Sequence, residues 1–421
     1  MMDQNLLERV NPVFNTAKMT VFQLAAAGVE DAARVAEKLN LTFEETQNSA
    51  SSTVSPEQMT TNMILVETRW RTCAAIAEKS GCKTVVDLPC GYTPRAKAMS
   101  QKGIAYYGLD LPAAISEAEP AILSLIDEDK RSSVHFCGVD ATNGESLKAA
   151  LKDAEGPVCI TTEGLLMYFT DSEVGALCDN IRMILKEHGG CWVTADTEPG
   201  MQYILTMQPI AGDRFMEIMM KSKTTAEDKS DVNVGSNSLN VSPQGDVAQN
   251  MKNAMTFLAR HGLKAERMIL AEHMPEINSL SYVTPEQAQA IKQNMQKCAY
   301  WKITVSDTGA EVDTADLRAE DFDMQASVTN DTLNLRLKGR VDTLTAPNML
   351  ALFERVAAEH KLSCVDIDCG ELDYISSAGL RVLLIMKKEC PDGVKLTGIN
   401  QVVREILEQT GFDSVLDIED Q

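Results

Sequence analysis

Four short apolar runs in the first half of the chain each end on a carboxylate. They are TVVD at 84–87, AYYGLD at 105–110, VHFCGVD at 134–140 and VCITTE at 158–163. Each is rich in β-branched and aromatic residues and too short for a helix, so each reads as a strand. Helix-like stretches lie between most of them. Parallel strands need a crossover between them, so this alternation demands a parallel sheet covered by helices on both faces. The strands expected are 84–88, 105–109, 134–139, 158–162 and 191–196. Two more are expected at 266–270 and 301–305, with a helical insert between them. In an open sheet of this kind ligands bind beyond the carboxyl ends of the strands, which is where these acids stand.

The segment TVVDLPCGYTPRAKAM holds the first of these acids. A strand ends in Asp87, Pro89 and Gly91 turn the chain, and a helix begins. Gly91 lets backbone approach a ligand closely. On its own this is an ordinary strand–turn–helix. A dinucleotide fingerprint requires G-x-G-x-x-G, but Pro89 stands at the first Gly and the third is absent, which disfavours a nicotinamide dehydrogenase. Asp110 changes the reading. It ends the next strand about 20 residues on, where a carboxylate accepts from ribose hydroxyls. Asp140 ends the third strand, within reach of an adenine amino group, and Glu163 borders the same crevice. Four acids repel a pyrophosphate and suit a cationic, hydroxyl-rich nucleoside.

With 421 residues the chain exceeds what one hydrophobic core usually holds, so two domains are expected. The net charge of -22 opposes nucleic acid and anionic membrane as partners. Neither C-x-x-C pairs nor His at ligand spacing occur, so reduced thiols and no metal are expected. The start of the chain has no signal-peptide pattern, and no apolar window is long enough to span a bilayer, which points to the cytoplasm. Residues 1–83 read as a helical extension. From 207 to 250 the pattern weakens into a lid or insertion. Residues 306–321 are acidic and poor in large apolar side chains, and read as a linker; beyond them strand and helix signals restart.

VVDLPCGYTPRA, GLDLP, VDAT and TEGLLMYF, in that order and spacing, resemble the leucine carboxyl methyltransferase family. The resemblance covers roughly residues 1–305. It implies a class I methyltransferase fold, α/β and Rossmann-like with a mostly parallel seven-stranded sheet, and S-adenosyl-L-methionine as cofactor. Carried over by position, Asp87 and Gly91 would line the methionine end and Arg69 would take its carboxylate. Asp110 would take the ribose, Asp140 the adenine, and Glu163 would sit near the amino group, with Pro89, Leu111, Ala141 and Gly164 as further cofactor-binding candidates. The sequence departs from the family at Pro89, where a Gly is usual, and near Thr93, where an acid is usual. The family points to oxygen acceptors, a carboxyl or hydroxyl of a small molecule or a protein. A carboxylate acceptor needs no base; for a hydroxyl, Glu163 and Tyr168 are the catalytic candidates. Lys221–Asn250 would carry specificity or be a plain insertion.

LKGRVDTLTAP and LDYISSAGLRVLL resemble the STAS domain of anti-sigma factor antagonists, over residues 322–421. That resemblance implies a small α/β domain and places Ser377 at the phosphorylatable position, where a phosphate would meet the positive end of a helix. Ser376 or Ser377 serves equally well as a plain helix cap. The Asp that precedes the phosphorylated Ser in the family is Ser376 here, whereas Asp342 matches the family's acid nearby. Partners implied are a kinase or an anti-sigma-like protein. The leading expectation is an oxygen methyltransferase with a regulatory STAS domain. The alternative is a non-catalytic sensor of S-adenosylmethionine that signals through the STAS domain.

Overall fold

The computed structural model describes residues 16–41, 54–220, 237–306 and 310–419. Its first sheet has seven strands: β1 (Thr84–Asp87), β2 (Ala105–Asp110), β3 (Val134–Gly138), β4 (Val158–Thr162), β5 (Gly190–Thr194), β6 (Leu263–Ile269) and β7 (Ala299–Val305). Their order is β3-β2-β1-β4-β5-β7-β6. β1 pairs in parallel with β2 and β4, setting Asp87 opposite Gly108 on one side and Thr161 on the other. β7 runs antiparallel to β5. The expected α/β fold, with a mostly parallel seven-stranded sheet, is present. The chain winds outward from β1 to β3, then crosses to β4, so the carboxyl ends of β1 and β4 diverge into a crevice. Every residue of β1 and β4 is buried, which explains why they read as continuous apolar runs.

The helix Pro56–Lys79 positions one wall of that crevice. Ser55 accepts from the Gln58 backbone N–H and the Gln58 side chain returns the bond, with Pro56 in the first turn. Its fully buried Glu67 accepts from Arg71 Nε at 2.7 Å and from the backbone N–H groups of Asn278 and Ser279 at 3.0 and 2.8 Å. Three donors on a buried carboxylate fix the helix in register. Val21 and Leu24 of the helix at 16–26 pack with Ile64, Ile76, Val85 and Tyr300 in one core.

Contact between residues divides the chain into two compact units, 1–255 with 264–305, and 256–263 with 306–421. The second carries a sheet of its own: β8 (Ala310–Val312), β9 (Phe322–Thr329), β10 (Thr332–Val341), β11 (Cys364–Ile375), β12 (Gly393–Thr397) and β13 (Asp417–Glu419), ordered β13-β12-β11-β10-β9-β8. Helices Ala346–Glu359, Ser377–Glu389 and Gln401–Thr410 cover it, and Leu333, Leu352, Ile367 and Leu383 lie in its core.

Part of the expected linker at 306–321 is structured. Ala310–Val312 adds β8 to the sheet edge beside β9, and Thr314 Oγ1 donates to Met324 O at 2.7 Å. An edge strand needs only one buried face; here Ala310 supplies it while Glu311 points outward, so an acidic segment still pairs. The expected lid is partly helix, Pro199–Ala211 continuing in helical turns to 220, while 221–236 lies outside the described residues. Among the described residues no helix is long and apolar enough to cross a membrane.

Candidate functional site

A cavity of about 650 Å³ opens at the carboxyl ends of β1, β2 and β4, within the size range of small-molecule sites. Asp87, Gly91 and Asp110 form its floor. The helix Pro56–Lys79 contributes Arg69 and Trp70, the segment after β4 contributes Glu163 and Tyr168, and the helices at 16–26 and Pro199–Ala211 complete the wall.

The loop after β1 is fixed by backbone bonds on both sides. Leu88 N–H donates to Thr161 O and Cys90 N–H to Leu109 O, both at 2.9 Å. Gly91 then adopts φ of +52°, a left-handed conformation that favours glycine, and its N–H donates to Asp110 Oδ2 at 2.8 Å. Leu111 N–H donates to Asp110 Oδ1 at 2.7 Å. Burial pushes the Asp110 carboxyl up to about 6, against the pull of these two N–H groups. Pro89 lines the cavity from this loop, and its peptide bond to Leu88 is cis.

Behind the loop runs a chain of alternating charges. Asp87 Oδ1 accepts from Arg95 Nη1 at 2.9 Å and Thr161 Oγ1 at 2.8 Å, and Oδ2 accepts from Tyr106 at 3.0 Å. Arg95 Nη2 donates to Trp70 O at 3.1 Å and pairs with Glu163 Oε1. Glu163 Oε2 lies 3.7 Å from Arg69 Nε. Arg95 and Asp87 are almost fully buried, whereas the side chains of Glu163 and Arg69 retain 10% and 28% exposure toward the cavity. Burial pushes the Glu163 carboxyl up; Arg95 and Arg69 oppose this, and Asp87 adds to it.

The segment after β4 is held by a residue that the sequence reading missed. Asp196, just beyond β5, accepts from the backbone N–H groups of Gly164, Leu165 and Leu166 at 2.7, 2.8 and 3.1 Å. This clamp sets Glu163 and Tyr168 at the cavity wall. Burial raises the Tyr168 phenol, so it stays protonated near neutrality. The same strand-end pattern that drew attention to Asp87 and Asp110 picks out Asp196. Arg95 had no such signal, because an Arg in the first turn of a helix reads as solvent-facing.

Not every expected residue converges. Arg69, Asp87, Pro89, Gly91, Asp110, Glu163, Gly164 and Tyr168 all line the cavity. Asp140 does not line it; it is exposed and accepts from Thr142 N–H and Oγ1 at 2.9 and 2.7 Å. Ala141 is buried, with its carbonyl accepting from Asn180 Nδ2. Leu111 touches the site only through the N–H that holds Asp110. β3 ends two residues before Asp140, so the chain has already turned away where the acid occurs.

In the second unit Ser376 is the cap of the helix Ser377–Glu389, accepting from Gly379 N–H. Ser377 is exposed at the first helical position. Gly379 is required by close approach: a Cβ there would lie 2.6 Å from both Ile375 and Val341 side chains. Asp342 accepts from Leu344 and Thr345 N–H groups, which hold its carboxyl low.

Residues 17–182 match the family model described as leucine carboxyl methyltransferase, and residues 323–421 match the STAS domain model. No curated protein matches the chain. Among solved structures the chain is similar to a presumed methyltransferase from Thermobifida fusca, with 14% identity over 65% of this chain and 94% of that one, at a TM-score of 0.37. It is similar to an O-methyltransferase of a polyketide multienzyme from Brevibacillus brevis, solved with S-adenosyl-L-homocysteine. The identity is 12%, over 60% of this chain and 78% of that one, at a TM-score of 0.32. An anti-sigma factor antagonist from Mycobacterium paratuberculosis aligns at 19% identity over 24% of this chain and 90% of that one, at a TM-score of 0.23. By these matches residues 17–182 are similar to leucine carboxyl methyltransferases and residues 323–421 to STAS domains.

Proposed function

We propose that the cavity binds S-adenosylmethionine and that the protein transfers its methyl group to an oxygen acceptor, with the STAS domain serving regulation or partner binding. The observation that carries this is the loose pairing of Arg69 with Glu163 at 3.7 Å in a cavity that Asp110 also lines. A cation and an anion with unfilled hydrogen-bonding capacity match the two ends of an amino-acid head group. A carboxylate at the end of β2 matches ribose hydroxyls. Trp70 Nε1, buried at the same wall, has no partner among the described residues and is a further donor for a ligand.

Arg69 would take the head-group carboxylate, Glu163 the ammonium and Asp110 the ribose. Bound there, S-adenosylmethionine supplies an electrophilic methyl group on a sulfonium. The chain's own task is then to align the acceptor oxygen and exclude water. Tyr168, kept protonated by burial, serves as a hydrogen-bond donor that orients the acceptor. Glu163, already held by two guanidinium groups, anchors the cofactor in preference to acting as a base. This arrangement suits an acceptor that needs little deprotonation, such as a carboxylate.

Calorimetric titration of the Asp110→Ala variant tests the assignment. Loss of the ribose hydrogen bonds is expected to weaken S-adenosylmethionine binding by roughly 2–3 kcal/mol, up to about a hundredfold. Equal affinity in the folded variant contradicts it. Incubating the wild type with methyl-labelled cofactor and cell extract then separates turnover from sensing, since a sensor transfers no label.

A further inference from the structure

Arg95 is a cation buried to 1% exposure, and it sits between two carboxylates at the ends of two different strands. Nη1 meets Asp87 at 2.9 Å; Nη2 meets Glu163 and the Trp70 carbonyl, and Nε has no partner among the described residues. A charge this deep is held only if it is paired on several sides. Asp87 is already saturated by Thr161 and Tyr106. Glu163 is different: one oxygen lies against Arg95 and the other faces Arg69 and the cavity. Arg95 therefore links the rigid end of β1 to an acid that keeps one oxygen free toward the cavity.

We propose that Arg95 is a positioning residue for the amino-acid end of the cofactor, acting through Glu163: it holds Glu163 ionised and aims its outer oxygen at the ligand's ammonium. This rests on the cofactor reading given above. The groups facing Glu163 are Arg69 and Cys73 from the helix Pro56–Lys79, Arg95, Asp87 from β1 and Tyr300 from β7. Burial, together with Glu163 itself, raises both the Cys73 thiol and the Tyr300 phenol, so both stay neutral. Without Arg95, Glu163 would be left with Asp87 as a like-charged neighbour and Arg69 as its one cation. Burial would then favour the protonated acid, which cannot pair with an ammonium.

The test compares two ligands on the full chain. S-adenosylhomocysteine carries the amino-acid head group; 5′-methylthioadenosine shares the nucleoside and lacks it. For Arg95→Met, S-adenosylhomocysteine is expected to bind at least about tenfold more weakly at pH 7 than to the wild type, and to recover as the pH is raised toward 8.5. Methylthioadenosine should change by no more than about twofold. An equal loss for both ligands, or a loss that does not depend on pH, overturns the proposal and makes Arg95 a structural residue. Should Arg95→Met not fold, Asp87→Asn/Arg95→Met removes the buried pair together. The head-group-specific, pH-dependent loss must persist there, and a pH-independent affinity like that of the wild type overturns the proposal. If the wild type itself binds neither ligand, the cofactor reading fails instead.

Discussion

At the scale of single residues the site is a set of carboxylates whose neighbours decide what each can do. Asp87 is locked into Arg95, Thr161 and Tyr106, and Asp196 into three backbone N–H groups. Asp110 keeps its role open, and burial pushes it up to about 6. Ribose hydroxyls donate to the ionised form, so ligand binding favours loss of the proton. Affinity for S-adenosylmethionine should be full above about pH 7 and fall as the pH drops through 6, approaching tenfold per unit below that. Titrations at pH 5, 6 and 7 check this, with Asp110→Asn as the control. A wild-type affinity that is flat across this range contradicts the assignment. The residue types at strand ends were legible in the sequence because each acid closes a short apolar run. Which of them reach the cavity was not, because that depends on how far each strand runs before the chain turns. β2 extends through Asp110, whereas β3 stops at Gly138 and leaves Asp140 exposed.

At the scale of elements, the segment after β4 is the part that the rest of the site depends on. Its three N–H groups have Asp196 as their acceptor, so Asp196→Ala leaves one buried and two part-buried donors unmet. It should destabilise the protein by at least about 3 kcal/mol and weaken cofactor binding, because Glu163 and Tyr168 follow the segment. Asp196→Asn, which keeps one acceptor oxygen, should lose less. Chemical denaturation measures both, and a loss below about 1 kcal/mol for Asp196→Ala would show that the clamp is dispensable. The central strands were legible because each is short, apolar and followed by a turn. The edge strands β8 and β13 were not, since edge strands bury one face and tolerate charge. β9 carried a usable signal in the alternation of Phe322, Met324, Ala326 and Val328, all of them buried.

At the scale of the whole molecule, two units have separate cores, with the cavity in one and the exposed Ser377 in the other. Since Ser376 already caps the helix, a negative charge at Ser377 is expected to favour the helix start without replacing a bond. Ser377→Asp should leave the fold intact, reduce capture of a protein partner through the STAS surface, and leave cofactor affinity unchanged if the units act independently. A shift in cofactor affinity would mean that the sites are coupled, and the cofactor would then change partner affinity by the same factor. The division into two units was legible from chain length and from the restart of the strand–helix pattern. The short edge strand at Ala310–Val312 was not, because the acidic composition of 306–321 hides it. The account as a whole turns on what the cavity binds. Titration of the purified 421-residue chain with S-adenosylmethionine, S-adenosylhomocysteine and NADH decides it. The expected result is saturable binding of the first two at one site per chain, each displacing the other, with no binding of NADH. No saturable binding of either sulfur nucleoside, or binding of NADH in their place, would contradict it.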